Sequence, residues 1–215
     1  MIVLINPNST ETMTQSMLAT ARQTAPQAQF EGWTSYDGPP AIQGRADNAR
    51  ALPPLLKRVQ DAKDAQAIII ACFDDTGLAE ARRMAPCPVV GIGQAAYHLA
   101  ALVSDRFSVV TTLEASRSIL EENITRYGLG HHLARVRASG VPVLDLEDDP
   151  EAAARAVIDE IRTAEREDDV DTVVLGCGGM NKIAHQARGQ TRIRLIDGVS
   201  AAAHVASGLV AGMGT

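Results

Sequence analysis

Residues 67–78, AIIIACFDDTGL, and residues 172–183, TVVLGCGGMNKI, share the pattern that decides how this chain folds. In each stretch an apolar run ends at a cysteine, Cys72 or Cys177, and a glycine-containing turn follows. Continuous apolar runs of this length are typical of parallel strands that are buried on both faces. A thiol at the carboxyl end of such a strand lies where ligands bind in open α/β sheets, and nearby backbone N–H groups lower a thiol pKa. The two stretches therefore predict one ligand-binding unit built twice.

The spacing of the two cysteines recurs elsewhere in the chain. Their residue numbers differ by 105, and the same shift carries residues 4–7, LINP, onto residues 109–112, VVTT. Further along, residues 88–96, PVVGIGQAA, match residues 194–202, RLIDGVSAA, with a one-residue gap. Agreement at three landmarks in the same order indicates two homologous α/β halves.

Strands and helices are predicted to alternate along the whole chain. The predicted strands are residues 1–6, 28–34, 66–72, 88–92, 106–112, 134–138, 170–176 and 192–196. The predicted helices are residues 10–24, 48–63, 76–84, 94–103, 114–126, 150–166 and 199–211. Ser9 or Thr10 is expected as the N-cap of the first helix, and Pro53 and Pro54 predict a late start or a kink in the second.

The repeat also divides the chain, because no linker is visible. We expect an α/β fold of two similar, pseudo-symmetric domains with mainly parallel sheets and a ligand site in the cleft between them. Residues 1–97 with 199–215 form the first predicted domain, and residues 98–198 form the second. The last helix is assigned to the first domain because the repeat places it where the helix after Gly93 lies.

Composition limits the function classes. The 215 residues are 46% hydrophobic and only 3% aromatic, which suits a core of aliphatic strands covered by helices. A formal charge of −6 without a basic stripe argues against nucleic acid and anionic membranes as partners. The chain starts directly with a predicted strand and has no long apolar segment, so we expect a cytoplasmic protein.

The remaining cysteine and the histidines do not suggest a metal centre. Three cysteines cannot form a complete disulfide framework, there is no CxxC, and the five histidines lack ligand spacing. No metal site is therefore expected. Cys87, between Pro86 and Pro88 and outside the repeat, is interpreted as a packing residue.

Several polar residues near the cysteines have two interpretations. Asn8 could bind a ligand or only begin the first helix, and the two roles are compatible. Asp74 and Asp75 could orient a thiol or a substrate N–H, but at least one is expected to cap a helix, and a carboxylate beside Cys72 opposes thiolate formation. Asp197 is favoured as the cap of the last helix, with a supporting role at the site as the alternative.

The segments INPNST, GPPAI, ACFDDTGL, PVVGI, FSVVTT, LGCGGM and IDGVSAA follow one another as in hydantoin racemases of the aspartate/glutamate/hydantoin racemase superfamily, which the chain resembles over nearly its whole length. The resemblance implies two α/β domains with the active site between them, and no pyridoxal phosphate, metal or other cofactor. It further implies that Cys72 and Cys177 act as an acid/base pair on opposite faces of a stereocentre. A small-molecule substrate and a homo-oligomer are expected.

The chemistry explains the need for two thiols. Inversion of a carbon requires removal of its proton from one face and return of a proton to the other, which two opposed groups can do. In a 5-substituted hydantoin, loss of the C5 proton gives an enolate whose oxygen needs hydrogen-bond donors. The turns after the cysteines and the facing strand tip could supply these contacts, so the predicted substrate-binding residues are Asn8, Phe73, Asp74, Thr111, Thr112, Gly178 and Gly179.

Hydantoin racemases often carry Pro at the position of Thr76 and Ala at that of Gly178, so the size and polarity of the C5 substituent are not fixed by the resemblance.

Two alternatives to a hydantoin racemase stay open. An aspartate- or glutamate-type racemase would need a cation at the site, which Arg45, Lys182 or Arg188 could supply. A protein of the same fold that binds a small molecule without turnover is the other alternative.

Overall fold

The computed structural model describes residues 1–187 and 189–213. In this part of the chain the strands are β1 (Ile2–Asn6), β2 (Phe30–Thr34), β3 (Ala67–Ile70), β4 (Val89–Gly91), β5 (Phe107–Thr111), β6 (Leu133–Ala138), β7 (Thr172–Leu175) and β8 (Arg194–Asp197). The helices are α1 (Glu11–Thr24), α2 (Arg45–Asp61), α3 (Leu78–Met84), α4 (Ile92–Val103), α5 (Glu114–Arg126), α6 (Asp145–Asp148), α7 (Pro150–Glu167), α8 (Ile183–Gln186) and α9 (Gly198–Met213). A 3-10 turn spans Gly178–Met180. All eight predicted strands are present.

The strands form two parallel four-stranded sheets of identical topology. The first sheet has the order β2-β1-β3-β4 and the second β6-β5-β7-β8. β1 and β5 begin at Ile2 and Phe107, and β3 and β7 begin at Ala67 and Thr172, so both pairs keep the 105-residue shift. The predicted α/β class and the internal repeat are therefore confirmed.

The helices differ from the prediction mainly at α2. This helix begins at Arg45, so the predicted late start is wrong, and Pro53 and Pro54 lie in its interior. The fixed φ of proline is itself helical, which lets the helix continue although their backbone nitrogens carry no hydrogen to donate. The 3-10 turn, α6 and α8 were not predicted because segments of three or four residues are too short to show a helical period.

Helix α1 begins after Thr10, one of the two N-cap positions expected from the sequence. Thr10 occupies the N-cap position, but its side chain makes no capping hydrogen bond. Instead the Asn8 side-chain oxygen accepts a hydrogen bond from the Thr10 backbone N–H at 2.9 Å. The turn before the helix is therefore stabilised by Asn8, which also lines the site described below.

Two helices cross between the halves of the repeat. α4 follows the first sheet in sequence but packs against β7 and β8 of the second, whereas α9 follows the second sheet and packs against β3 and β4 of the first. The two helices also pack on each other, and their buried alanines belong to one core. The predicted boundary at residue 97 falls inside α4, and the division into residues 1–97 with 199–215 and residues 98–198 stays a proposal.

The N-termini of α4 and α9 approach each other very closely. A Cβ atom added to Gly198 would lie 2.8 Å from the carbonyl oxygen of Ile92 and 2.8 Å from the Phe73 ring. Backbone atoms cannot move aside as a flexible side chain can, so only glycine fits at this position.

Within the described residues, no helix has the length and apolar character needed to cross a membrane.

This contact predicts opposite effects for two glycines of α9. Gly198→Ala should destabilise the protein by about 1–3 kcal/mol because it overpacks the crossing. Gly208→Ala on the same helix is the matched control, since nothing lies within 4 Å of the added Cβ, and it should stabilise by about 0.5–1 kcal/mol. Urea unfolding of both variants measures these changes, and equal stabilities would contradict the close approach.

Candidate active site

Both repeated cysteines line one cavity between the two sheets. Cys72 and Cys177 each lie two residues beyond a strand, after β3 and β7, and both are partly buried. The cavity measures about 40 Å³, and its other lining residues are Asn8, Met13, Met17, Ile42, Ala71, Phe73, Asp74, Thr112, Ser116, Val143, Gly176, Gly178 and Gly179. The two halves of the repeat therefore bring their thiols to a shared space.

The backbone around each thiol repeats as well. In both halves the backbone N–H of the second residue after the cysteine lowers the pKa of the thiol, Asp74 for Cys72 and Gly179 for Cys177. Such donors stabilise the thiolate. The repeat thus includes one backbone donor beside each sulfur as well as the position of the sulfur.

Burial outweighs these donors in setting the acidity of the thiols. It raises the pKa of Cys177 to about 11, and the Asp74 carboxylate adds to this rise. The pKa of Cys72 is raised further, first by burial and then by Asp74. The backbone N–H groups lower the thiol pKa as expected from the sequence, but loss of hydration penalises the charged form more than these donors stabilise it.

Asp74 is a buried carboxylate whose charge acts on both thiols. Burial raises its pKa to about 6, while hydrogen bonds from Asn48 and Ser116 act in the opposite direction. Asn48 Nδ2 donates to Asp74 Oδ2 at 2.7 Å. The carboxylate therefore sits at the cavity wall with donors that hold it in place, and it opposes ionisation of both cysteines as the sequence predicted for Cys72.

Asp75 has a different role from its neighbour. Its carboxylate accepts hydrogen bonds from the backbone N–H groups of Gly93 at 3.1 Å and Gln94 at 2.8 Å, and from the Tyr127 hydroxyl at 2.8 Å. Burial raises the pKa of Asp75 to about 7 against these donors. The helix-capping interpretation is confirmed for Asp75, but the capped helix is α4 and not α3, which follows it in sequence.

Asn8 stabilises the start of the first helix and also lines the cavity, while its role in ligand binding stays a prediction. Its side-chain oxygen accepts from Thr10 and from Asn6 Nδ2, each at 2.9 Å, while its Nδ2 faces Met13 Sδ at 3.6 Å. The side chain is thus fixed by the turn before α1 and forms part of the cavity wall.

One predicted binding residue lies outside the cavity lining. The Thr111 hydroxyl donates to the Gly176 carbonyl oxygen at 2.9 Å inside the second sheet, whereas Thr112 lines the cavity. The other predicted binding residues also line it. Sequence reasoning missed Ser116 and the apolar part of the lining, since isolated residues in loops and helices give no signal of their own. The apolar lining residues include Met13, Met17, Ile42 and Val143.

Comparison with known proteins identifies the family of this chain. The sequence model of the family described as Asp/Glu/Hydantoin racemase matches residues 2–206. The chain belongs to this racemase family. A hydantoin racemase from Rhizobium meliloti is 42% identical over 212 residues, which are 97% of this chain and 88% of that protein.

Two solved structures of the family share the fold closely. An allantoin racemase from Klebsiella pneumoniae has a TM-score of 0.95 at 39% identity, covering 99% of this chain and 88% of its own. Allantoin racemase from Pseudomonas fluorescens has a TM-score of 0.93 at 34% identity, covering 99% of this chain and 91% of its own. The two-sheet architecture is therefore that of the racemase family.

The cationic residues considered for an acidic substrate do not line the cysteine cavity. Arg45 forms an ion pair with Glu122 in a larger cavity of about 540 Å³ on the other side of Asp74. Lys182 lines a separate hollow beside α1, and Arg188 lies outside the described residues. Among the described residues, no group of three or more Cys, His, Asp or Glu side chains is placed to hold a metal ion.

Two further expectations from the sequence concern residues outside the cavity. The Asp197 carboxylate accepts a hydrogen bond from the Ser200 backbone N–H at 2.9 Å, which confirms it as the cap of α9. Cys87 lies in a groove beside α4 and α9, away from the other thiols, and packs against the apolar cluster under the first sheet.

The raised thiol pKa predicts how alkylation depends on pH. In the free enzyme the rate of Cys177 carbamidomethylation should rise about tenfold per pH unit from pH 7 to about 9 without a plateau, because only the thiolate reacts. Peptide mass spectrometry after timed iodoacetamide exposure resolves the three cysteines. A rate that levels off near pH 7 would show a low-pKa thiol and contradict the described burial.

Proposed function

We propose that the protein is a cofactor-independent racemase of 5-substituted hydantoins or allantoin, with Cys72 and Cys177 transferring protons on opposite faces of C5. The observation that carries this proposal is the meeting of two equivalent thiols, one from each half of the repeat, in a single cavity. The names of the relatives, hydantoin racemase and allantoin racemase, support the same substrate class.

In the proposed reaction one cysteine is a thiolate and the other a thiol. The thiolate removes the C5 proton, and the electron pair of the C–H bond moves into the ring carbonyl to form an enolate. The opposite thiol then donates its proton to the other face of C5, so the two cysteines exchange protonation states. The same steps in reverse convert the second enantiomer, which is why both thiols are needed.

The raised pKa of the thiols suits this role. A thiolate of high pKa is a strong base toward a weakly acidic C–H bond, although a smaller fraction is charged at neutral pH. Thr112 and the Asn8 amide lie in the same wall and can donate hydrogen bonds to the developing enolate oxygen. The backbone N–H of Gly178, in the turn after Cys177, completes the proposed donors.

The charge of the cavity wall favours a neutral ureide over an acidic amino acid. Asp74 is the charged residue that contributes to the described lining, and no Lys, Arg or His joins it there. A carboxylate can accept the N–H groups of a hydantoin ring or ureido group, but it repels the carboxylates of aspartate or glutamate. The amino-acid alternative is correspondingly disfavoured.

Substrate entry requires the cavity to widen. Its volume of about 40 Å³ has room for only a few water molecules, and a heterocyclic ring needs considerably more space. Met13 and Met17 in its wall are unbranched and flexible, which suits them to move aside. A Cβ on Gly178 would lie 2.8 Å from Met17 Sδ, so Met17 covers this turn directly.

The substrate class and the thiol roles are tested together. The wild type should racemise single enantiomers of allantoin or 5-benzylhydantoin but not aspartate, followed by optical rotation. Cys72→Ser and Cys177→Ser should each lower racemisation by at least about 100-fold, because one proton transfer loses its acid/base group. Cys87→Ser is the matched control and should retain full activity.

Three outcomes would contradict the proposal. Turnover of aspartate alone would move the protein to the amino-acid branch of the family. Wild-type-like activity in either Cys72→Ser or Cys177→Ser would exclude the two-thiol mechanism, and ligand binding without any turnover would favour a binding protein. The cytoplasmic location and the homo-oligomeric state expected from the sequence also stay proposals.

A further inference from the structure

A side-chain hydroxyl lies beside one of the two thiols. Thr76 Oγ1 lies 3.3 Å from Cys72 Sγ, four residues earlier in the chain. The equivalent residue after Cys177 is Asn181, whose amide donates instead to the hydroxyls of Ser16 and Thr20. Cys72 thus has a side-chain hydroxyl within hydrogen-bonding distance. At the equivalent position of the other half, the side chain is an amide that contacts α1 and not Cys177.

The Thr76 hydroxyl faces a second acceptor at the same time. Its oxygen is within hydrogen-bonding distance of Asn48 Oδ1 as well as of the Cys72 sulfur. The orientation of the Asn48 amide is set by its other contacts, since Nδ2 donates to the Gly44 carbonyl oxygen at 3.0 Å and to Asp74 Oδ2 at 2.7 Å. Both of these are acceptors, so the opposite amide orientation is excluded.

One hydroxyl carries one proton, so Thr76 can donate to only one of the two acceptors at a time. Asn48 Oδ1 cannot donate. When Thr76 donates to Asn48, its own oxygen is left to accept the S–H of a protonated Cys72. When Cys72 is a thiolate, it needs a donor, and rotation of the hydroxyl supplies one.

We propose that Thr76 is a positioning residue for Cys72, accepting a hydrogen bond from the thiol and donating one to the thiolate as its proton turns between Asn48 and the sulfur. The chain of contacts runs from Asp74 through Asn48 and Thr76 to Cys72. Thr76 and Asp74 are both buried, which strengthens each hydrogen bond and makes an unmade one costly. Cys177 has no equivalent chain among its described contacts.

Only the expected effect of Thr76 on proton exchange at C5 rests on the proposed function; the contact between Thr76 and Cys72 does not. The ionisable groups that face Cys72 are Asp74 in the same turn, Cys177 across the cavity and Tyr97 of α4. A substitution at Thr76 replaces none of these groups, and Asp74 acts on both thiols, so unchanged Cys177 alkylation also controls for an altered Asp74. The reactivity of Cys72 toward an alkylating agent therefore reports the hydroxyl contact whether or not the protein is a hydantoin racemase.

The first test compares Thr76→Val with Thr76→Ser. Cys72 is followed in a Cys87→Ser/Cys177→Ser background and Cys177 in a Cys87→Ser/Cys72→Ser background, each by its rate of iodoacetamide alkylation against pH. Thr76→Val should slow Cys72 alkylation at a given pH by about 10- to 100-fold, because the thiolate loses its hydroxyl donor. Thr76→Ser should restore the rate, and Cys177 should be unaffected.

Contrary results would overturn the proposal. An unchanged pH dependence of Cys72 alkylation in Thr76→Val would show that the hydroxyl does not act on the sulfur. An equal slowing of Cys177 would show a general disturbance of the cavity. Circular dichroism melting checks that the variants fold, and Thr76→Ala, which removes the hydroxyl without adding bulk, replaces Thr76→Val if that variant does not.

The second test addresses catalysis. Cys177→Ser retains Cys72 as the only thiol of the pair, so it should exchange the C5 proton of one hydantoin enantiomer with D₂O without inverting it. Adding Thr76→Val should slow that exchange by about 10- to 100-fold, but should not slow exchange of the other enantiomer by Cys72→Ser. Equal slowing of exchange in the Cys177→Ser and Cys72→Ser backgrounds would overturn the assignment of Thr76 to Cys72. If no variant exchanges the C5 proton but Thr76→Val still alters Cys72 alkylation, the proposed reaction is refuted and the hydroxyl contact is supported.

Discussion

The close approach of α4 and α9 at Gly198 is the contact on which the site depends. Each helix leaves the sheet that precedes it and packs on the other sheet, so the crossing fixes the two sheets relative to one another. The same contact joins Gly198 to Phe73, the residue after Cys72. Because the thiols lie on different halves, any slip at this crossing would change their separation, and a proton transferred across a carbon tolerates little change in distance.

Buried charge is the second physical theme. Asp74, Asp75 and both thiols lie at the turns beyond the strands, where they lose hydration and their pKa values rise. Hydrogen-bond donors hold both carboxylates, but the two residues have different roles. Asp75 fastens the N-terminus of α4 and thereby the crossing, whereas Asp74 contributes a negative wall to the cavity and opposes ionisation of both cysteines. One turn thus combines structural and chemical roles in adjacent residues.

The parallel strands, their order in two equal halves and the meeting of the cysteines could be predicted because they follow from apolar runs and a constant spacing. The capping roles of Asp75 and Asp197 were also accessible from residue type. The net shift of the thiol pKa could not be predicted because burial depends on Met13, Met17 and other residues distant in sequence. The contact of Thr76 with Asn48 was equally hidden, since α2 reaches that turn only in the folded protein.

The most direct measurement is the fate of the C5 proton during a single conversion by the unmodified enzyme. One enantiomer of 5-benzylhydantoin is incubated in D₂O at neutral pH, stopped early, and the two enantiomers are separated and analysed by proton NMR. Two opposed thiols predict deuterium in the newly formed enantiomer while the unconverted substrate keeps its hydrogen. Deuterium appearing in the unconverted substrate as fast as in the product would indicate a single exchanging base and would contradict the account.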